Sequence, residues 1–247
     1  MILAVDIGNT STAFGVYDGE KMVMSFRTDT GHYTDEIINT IKYPVKAAAV
    51  SSVVPAVNKN ICNAISKNLG CQVKVIDSSF KSGISICTEY PDRVGTDIIC
   101  GAAAAFYKYR KAVVVFDLGT ATTVCAVDNH GNYLGHSIFP GVKASFAALH
   151  TATAKLPLIE DEYSCTQIIG KNTVSSMKSG VILGAACFID GMSRRYRKET
   201  DDKAAVIVTG GLSTVILPYC EEKYIFDENL LMDGIRLIYE FNKQLYN

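Results

Sequence analysis

The sequence lacks the features that mark metal-binding, secreted and membrane-spanning chains. None of its 8 cysteines forms a CxxC pair, which argues against a zinc site or a disulfide framework and favours buried free thiols. The N-terminus has no basic region of the kind that opens a signal peptide. No apolar run is long enough to cross a bilayer. We therefore expect a cytoplasmic protein that contacts no membrane.

Charge of either sign is not in excess. The 24 Lys and Arg residues nearly balance the 25 Asp and Glu residues, which leaves a net charge of −1. This balance gives no electrostatic reason to expect nucleic acid as a partner. At 247 residues, of which 48% are hydrophobic, the chain is long enough for one large domain or two of ordinary size.

Two stretches share one pattern: an apolar run, an aspartate, an apolar residue, a glycine and short polar side chains. The first ends in Asp6-Ile7-Gly8-Asn9-Thr10 and the second in Asp117-Leu118-Gly119-Thr120. The apolar run fits a strand that is covered on both faces. An aspartate at its end can hold a hydrated divalent cation, and the glycine lets backbone amides approach a phosphate. A single copy could equally be an ordinary hairpin, but two copies favour phosphate binding.

The predicted elements of the first half begin with three strands and a helix that Thr34 could cap. A buried strand, a helix that Pro55 opens and Gly70 ends, and a further strand follow. A polar segment then leads into Gly95-Thr96-Asp97 and a small-residue helix that ends at Tyr109.

The second half repeats this order with additions. Three strands and a helix precede an irregular segment over 151–171, and a long helix then extends from about Thr173 to Glu199. Glycines in this helix would allow close packing against a neighbour. Strands and helices alternate to the end of the chain. The pattern predicts an α/β protein of two βββαβαβα domains, residues 1–110 and 111–247.

A duplicated βββαβαβα domain with an Asp-x-Gly loop at the head of each half resembles the RNase H-like ATPases, the superfamily of actin, sugar kinases and Hsp70. That resemblance implies a nucleotide in an interdomain cleft. Within the superfamily, the chain resembles type III pantothenate kinase nearly end to end. The family's two phosphate motifs match 6–10 and 117–123, and its nucleotide-loop pattern matches Thr209-Gly210-Gly211. Further family-like segments are Pro140-Gly141, 151–157, 169–173, Ser179-Gly180 and 189–192.

One segment departs from the family pattern. The family usually has Gly-x-Asp-Arg where this chain has Gly95-Thr96-Asp97-Ile98. Thr88 also occupies the place of a family tyrosine, and Tyr90 lies nearby. An isoleucine cannot offset the charge of a substrate carboxylate, so Arg93 is our candidate to reach the same site.

The resemblance implies transfer of the γ-phosphoryl group of ATP to the primary hydroxyl of pantothenate, the first step of coenzyme A synthesis. It implies that Asp6 holds Mg²⁺ through water and that Asp117 binds a monovalent cation, K⁺ or NH₄⁺. Such a cation would compensate for the lack of Lys and Arg in both phosphate loops. The residues expected to bind the nucleotide are Asp6, Ile7, Gly8, Asn9, Thr10, Ser11, Thr12, Ala13, Gly119, Thr120, Thr122, Gly210 and Gly211.

For the acceptor, Asp97 is the candidate base that takes the hydroxyl proton. Its alternative role is that of a carboxylate favoured by the helix dipole. Thr173 resembles a pantothenate-contacting threonine and could also be an N-cap, and Gly210 and Gly211 could simply form a turn. The residues expected to contact the acceptor are Arg93, Gly95, Thr96, Asp97, Ile98 and Thr173.

Two rival functions stay open at this stage. One is a kinase of the same fold that acts on another small hydroxy acid, with the altered segment as its specificity change. The other is a catalytically silent ATP-binding or regulatory relative, against which the intact Asp6, Asp97 and Asp117 argue. Family resemblance also implies a homodimer, with the glycine-bearing long helix as a plausible packing face.

Overall fold

The computed structural model describes residues 1–32 and 35–243. The predicted helix cap at Thr34 lies outside these residues. In chain order the elements are β1 (Ile2–Ile7), β2 (Ser11–Asp18), β3 (Lys21–Asp29), α1 (Asp35–Asn39), β4 (Ala47–Ser52), α2 (Pro55–Leu69), β5 (Gln72–Val75), β6 (Ser85–Ile86), α3 (Thr96–Tyr109), β7 (Val113–Leu118), β8 (Ala121–Val127), β9 (Asn132–Pro140), α4 (Val142–Ala152), α5 (Thr173–Lys178), α6 (Gly184–Thr200), β10 (Ala205–Thr209), α7 (Ser213–Ile216), β11 (Ile225–Phe226) and α8 (Leu230–Asn242).

The chain divides into two compact units. The first unit is Met1–Lys108 together with the C-terminal part from Asn229, and the second is Tyr109–Glu228. The division expected from chain order differs at its C-terminal end, because α8 packs against β1 and β4 of the first unit. The reason is the apolar face of α8, where Ile235 and Ile238 are buried among residues of the first unit.

The sheet of the first unit has the order β3-β2-β1-β4-β5, in which β1 is antiparallel to β2 and parallel to β4. One face of this sheet carries large residues such as Leu3 and Val5, which pack with Ile61 and Ile65 of α2. The opposite face carries Ala4 and Ala49 under α3 and α8. These small side chains let α8 lie close to β1 and β4.

In the second unit, strands β9-β8-β7-β10-β11 follow the same order as β3-β2-β1-β4-β5. The strand β7 is antiparallel to β8 and parallel to β10, as β1 is to β2 and β4. The predicted duplication is therefore confirmed at the level of sheet topology. The core of this unit contains Phe116, Phe146, Ile182 and Ile189.

The long helix predicted from Thr173 to Glu199 is interrupted. A π-helical turn, Ser179–Leu183, separates α5 from α6. Asn172 caps α5, since its side chain accepts a hydrogen bond from the Ser175 amide at 2.9 Å. Thr173 is therefore the first helical residue and not the cap.

The prediction of free thiols is confirmed, because all eight cysteines are unpaired. The prediction that these thiols are buried holds for only some of them. Cys71, Cys100 and Cys125 are buried, whereas Cys87 and Cys187 are exposed. Within the described ranges, no helix is long and apolar enough to cross a membrane.

Candidate functional site

The first loop is a tight turn between β1 and β2. The amide of Gly8 donates a hydrogen bond to the Ser11 carbonyl at 3.0 Å, and the Thr30 hydroxyl donates to the Gly8 carbonyl at 2.6 Å. Asn9 and Thr10 at the tip of the turn are exposed. The amide of Gly8 thus closes the turn, which leaves the tip to meet a ligand.

Three of the residues predicted to bind the nucleotide have side chains inside the sheet. Ile7 and Thr12 are fully buried and Ala13 is 7% exposed, so these side chains support the loop from within the sheet. Ser11 is half-buried and accepts a hydrogen bond from the Arg27 guanidinium at 2.9 Å. Arg27 is a positively charged residue beside this loop, and it was not among the residues predicted from the sequence. Its position in β3 directly across from Ala13 becomes visible only with the strand register.

Asp97 lies in the first turn of α3, where its Oδ1 accepts a hydrogen bond from the Ile98 amide at 2.8 Å. A Cβ atom added to Gly95 would lie 2.4 Å from that oxygen. Gly95 is therefore required for this orientation of the carboxylate. Arg93 stacks its guanidinium on the Tyr90 ring, 4.6 Å from the ring centroid, two residues before Gly95.

Asp6 and Asp97 converge on the buried thiol of Cys100. Burial raises the pKa of this thiol well above its ordinary value, and the negative charges of Asp6 and Asp97 raise the pKa further. Both carboxylates therefore lie within electrostatic range of one atom. The first unit brings together the predicted metal-binding aspartate and the predicted base.

The second loop repeats the first. The Gly119 amide donates to the Ala121 carbonyl at 3.2 Å, Thr120 is exposed, and Thr122 is buried within β8. Asp117 is the penultimate residue of β7 and lies directly across from Thr209 of β10. Asp117 thus holds the place in its sheet that Asp6 holds in the first.

Two glycines line this second loop where a side chain would not fit. A Cβ on Gly210, whose φ is +96°, would lie 2.5 Å from Asp117 Oδ1 and 2.6 Å from the Leu118 amide nitrogen. A Cβ on Gly141 would lie 2.3 Å from the Thr120 carbonyl oxygen. Both glycines keep the backbone around Asp117 and Thr120 open for close approach. Gly211 is exposed, and a Cβ there would meet nothing within 4 Å.

A cavity of about 460 Å³ flanks Thr173 in the second unit. Its lining includes Asn172 and Val174 on either side of Thr173, and also Lys178, whose ammonium lies 3.1 Å from Glu162 Oε2. The Lys178 side chain is only 12% exposed. This volume is within the range of small-molecule pockets.

No group of three or more His, Cys, Asp or Glu side chains that could hold a metal ion occurs in the described part of the chain. Asp6 and Asp117 each stand at the end of a central strand beside a glycine turn. A single carboxylate such as that of Asp6 fits Mg²⁺, which keeps most of its water and is commonly held by one or two carboxylates plus substrate phosphates.

Two units of one topology, each with an aspartate and a glycine turn near the end of its central strand, define the fold that actin-like ATPases and sugar kinases share. A ROK hexokinase from Thermus thermophilus shares this fold, with a TM-score of 0.50 and 12% identity over 96% of this chain and 97% of that one. A Campylobacter jejuni structure described as a Baf family transcriptional activator aligns with a TM-score of 0.60 and 20% identity, over 98% and 99% of the two chains.

The sequence model of the type III pantothenate kinase family matches residues 2–195. The chain is 35% identical to a type III pantothenate kinase of Brevibacillus brevis, and the match covers 98% of this chain and 100% of that protein. The chain belongs to the type III pantothenate kinase family.

Proposed function

We propose that this protein transfers the γ-phosphoryl group of ATP to the primary hydroxyl of pantothenate, the first step of coenzyme A synthesis. Family membership supports the reaction. The observation that supports the assignment to this chain is the pair of matching turns, in which Gly8 and Gly119 each close a loop beside an aspartate near the end of a strand. Phosphoryl transfer needs positioned charges and donors more than covalent chemistry, and these loops offer both.

The phosphates bind at the two turn tips, through Asn9 and Thr10 in the first loop and Thr120 in the second. Asp6 holds Mg²⁺ through water, and Asp117 holds a monovalent cation, K⁺ or NH₄⁺. These cations, when bound, neutralise charge on the phosphate oxygens. Gly210 and Gly211 let the adenosine part of the nucleotide approach the backbone.

Asp97 takes the proton of the attacking hydroxyl. Its side chain is held at the start of α3 by the Ile98 amide, and Gly95 gives it room. The carboxylate thus keeps one orientation, as a general base requires. Thr173 contacts the acceptor, and its two neighbours Asn172 and Val174 line the cavity.

Arg93 supplies the charge that Ile98 cannot offer to the pantothenate carboxylate. Support comes from its position two residues before Gly95 and from the exposed Tyr90 ring on which it rests, which limits the conformations of the guanidinium. A charged contact of this kind is worth about 1.5 to 3 kcal/mol.

The test is a steady-state kinase assay with ATP, Mg²⁺, K⁺ and a panel of hydroxy acids that includes pantothenate. We expect turnover with pantothenate and a loss of at least about 100-fold in kcat for Asp97→Asn, because the amide cannot accept the proton. Arg93→Ala should raise the KM for pantothenate more than the KM for ATP. Turnover of Asp97→Asn at the wild-type rate would disprove its role as base.

The same assay separates the rival functions. Turnover with another hydroxy acid and not with pantothenate would support a kinase of altered specificity. Nucleotide binding with no turnover of any acid would support a silent regulatory relative.

We propose a homodimer whose interface is the helix face that carries Gly180, Gly184 and Gly191. A Cβ on any of these glycines would meet nothing within 4 Å, so the predicted close packing is not made among the described residues of one chain. A second copy would supply the missing neighbour. The cytoplasm stays the predicted location.

A further inference from the structure

Ser51 is a buried hydroxyl to which the sequence analysis gave no role. It lies near the carboxyl end of β4 and is fully buried. A buried hydroxyl destabilises the fold unless it is hydrogen-bonded. The Ser51 oxygen lies 3.0 Å from the hydroxyl of Thr96, the first residue of α3, which is within hydrogen-bond distance.

The strand register places Ser51 beside Asp6. Ser51 is the direct partner of Asp6 in the parallel pair of β1 and β4, so both side chains lie on the same face of the sheet. That face is the one on which α3 packs through Cys100. The bonded partner of Ser51, Thr96, immediately precedes Asp97. The hydroxyl pair therefore joins the strand end beside Asp6 to the start of the helix that carries the base.

The hydrogen bond between Ser51 and Thr96 has a physical consequence for the position of α3. Asp6 and Asp97 both act electrostatically on Cys100, so both carboxylates lie within electrostatic range of one buried atom. Like charges repel, and a movement of α3 away from β4 would relieve that repulsion. Such a movement would misplace the base with respect to the acceptor hydroxyl, and errors of about 1 Å can reduce rates by about 100-fold. A neutral hydroxyl pair resists the movement without adding charge.

We propose that Ser51 is a positioning residue for phosphoryl transfer, which acts through the Thr96 hydroxyl to hold the start of α3 and thereby the Asp97 carboxylate. The proposal rests on the proposed function, in which Asp97 is the base. It predicts that loss of the Ser51 hydroxyl lowers kcat and leaves substrate binding nearly unchanged.

The chain offers a matched control in Ser52, the next residue of β4. The Ser52 hydroxyl accepts a hydrogen bond from the Val54 amide just before α2 and bonds with Asn58, away from Thr96. Ser52→Ala should therefore lower stability without altering kcat. The set to compare is Ser51→Ala, Thr96→Val, Thr96→Ser, the double variant Ser51→Ala with Thr96→Val, and Ser52→Ala.

For each variant, kcat and both KM values are measured with saturating ATP, Mg²⁺ and K⁺, and stability is measured by urea unfolding. We expect Ser51→Ala to lower kcat about tenfold, the effect of one hydrogen bond, with both KM values within about twofold of wild type. The double variant should be no slower than the slower single variant, since both single changes break one bond. Thr96→Ser, which keeps the hydroxyl, should retain most of the wild-type kcat.

The outcomes separate the two proposals. No turnover of pantothenate by the wild type would overturn both the function and the positioning role. Wild-type turnover with Ser51→Ala as active as Ser52→Ala would overturn the positioning role alone. Additive losses in the double variant would also overturn it, because they would show that the two hydroxyls act separately.

Discussion

Replacing Gly210 with alanine should damage the second loop, while the same change at Gly211 should not. Gly210 has a φ of +96°, where residues with a side chain are strained by about 1 to 3 kcal/mol. The new Cβ would also lie 2.5 Å from Asp117 Oδ1 and 2.6 Å from the Leu118 amide nitrogen. The second of these atoms belongs to the backbone, so no rotamer change can relieve the overlap.

Overpacking of this kind costs about 1 to 3 kcal/mol in addition to the backbone strain. We therefore expect Gly210→Ala to lower the free energy of unfolding by about 2 to 6 kcal/mol. Gly211→Ala should change it by less than about 0.5 kcal/mol, because its Cβ meets nothing within 4 Å. Urea unfolding of both variants in the absence of nucleotide is the assay.

Because the overlap displaces Asp117, the surviving folded Gly210→Ala protein should also need more K⁺ for half-maximal activity than the Gly211→Ala protein. Equal stability of the two variants would refute the steric argument. Lower stability with an unchanged K⁺ requirement would retain the steric argument and remove the proposed cation role of Asp117.

Two further predictions test helix packing. Gly234→Ala should lower the free energy of unfolding by about 1 to 3 kcal/mol, because the new Cβ would lie 2.0 Å from the Cys100 carbonyl oxygen. Gly101→Ala is the control in the same urea titration and should be neutral or stabilising, because its Cβ would meet nothing within 4 Å. If the open glycine face is the dimer interface, Gly184→Leu should raise the dimer dissociation constant measured by sedimentation at least about tenfold; a wild-type monomer at all concentrations would contradict the interface.

Local signals predicted much of the fold. The strand-turn-strand units at Asp6 and Asp117 are present, and α2 begins at Pro55 and ends before Gly70, which adopts the left-handed conformation. These features depend on a few neighbouring residues, so their pattern is visible in the sequence. The duplicated topology followed from two copies of such a pattern.

Features that depend on distant residues were not predictable in this way. The position of α8 depends on Gly234, which lets the helix approach the backbone of α3 at Cys100. The role of Arg27 depends on its strand register with β2. The cap at Asn172 was missed because Thr173, whose residue type is also favoured at N-caps, adjoins it.

The packing of α8 on β1 and β4 makes the first unit discontinuous in sequence. During synthesis its first 108 residues emerge well before the helix that covers the Ala4 and Ala49 face, with all of Tyr109–Glu228 made in between. At ribosomal speeds this interval lasts roughly 6 to 24 s. One side of the nascent N-terminal sheet therefore stays partly uncovered until α8 has been synthesised.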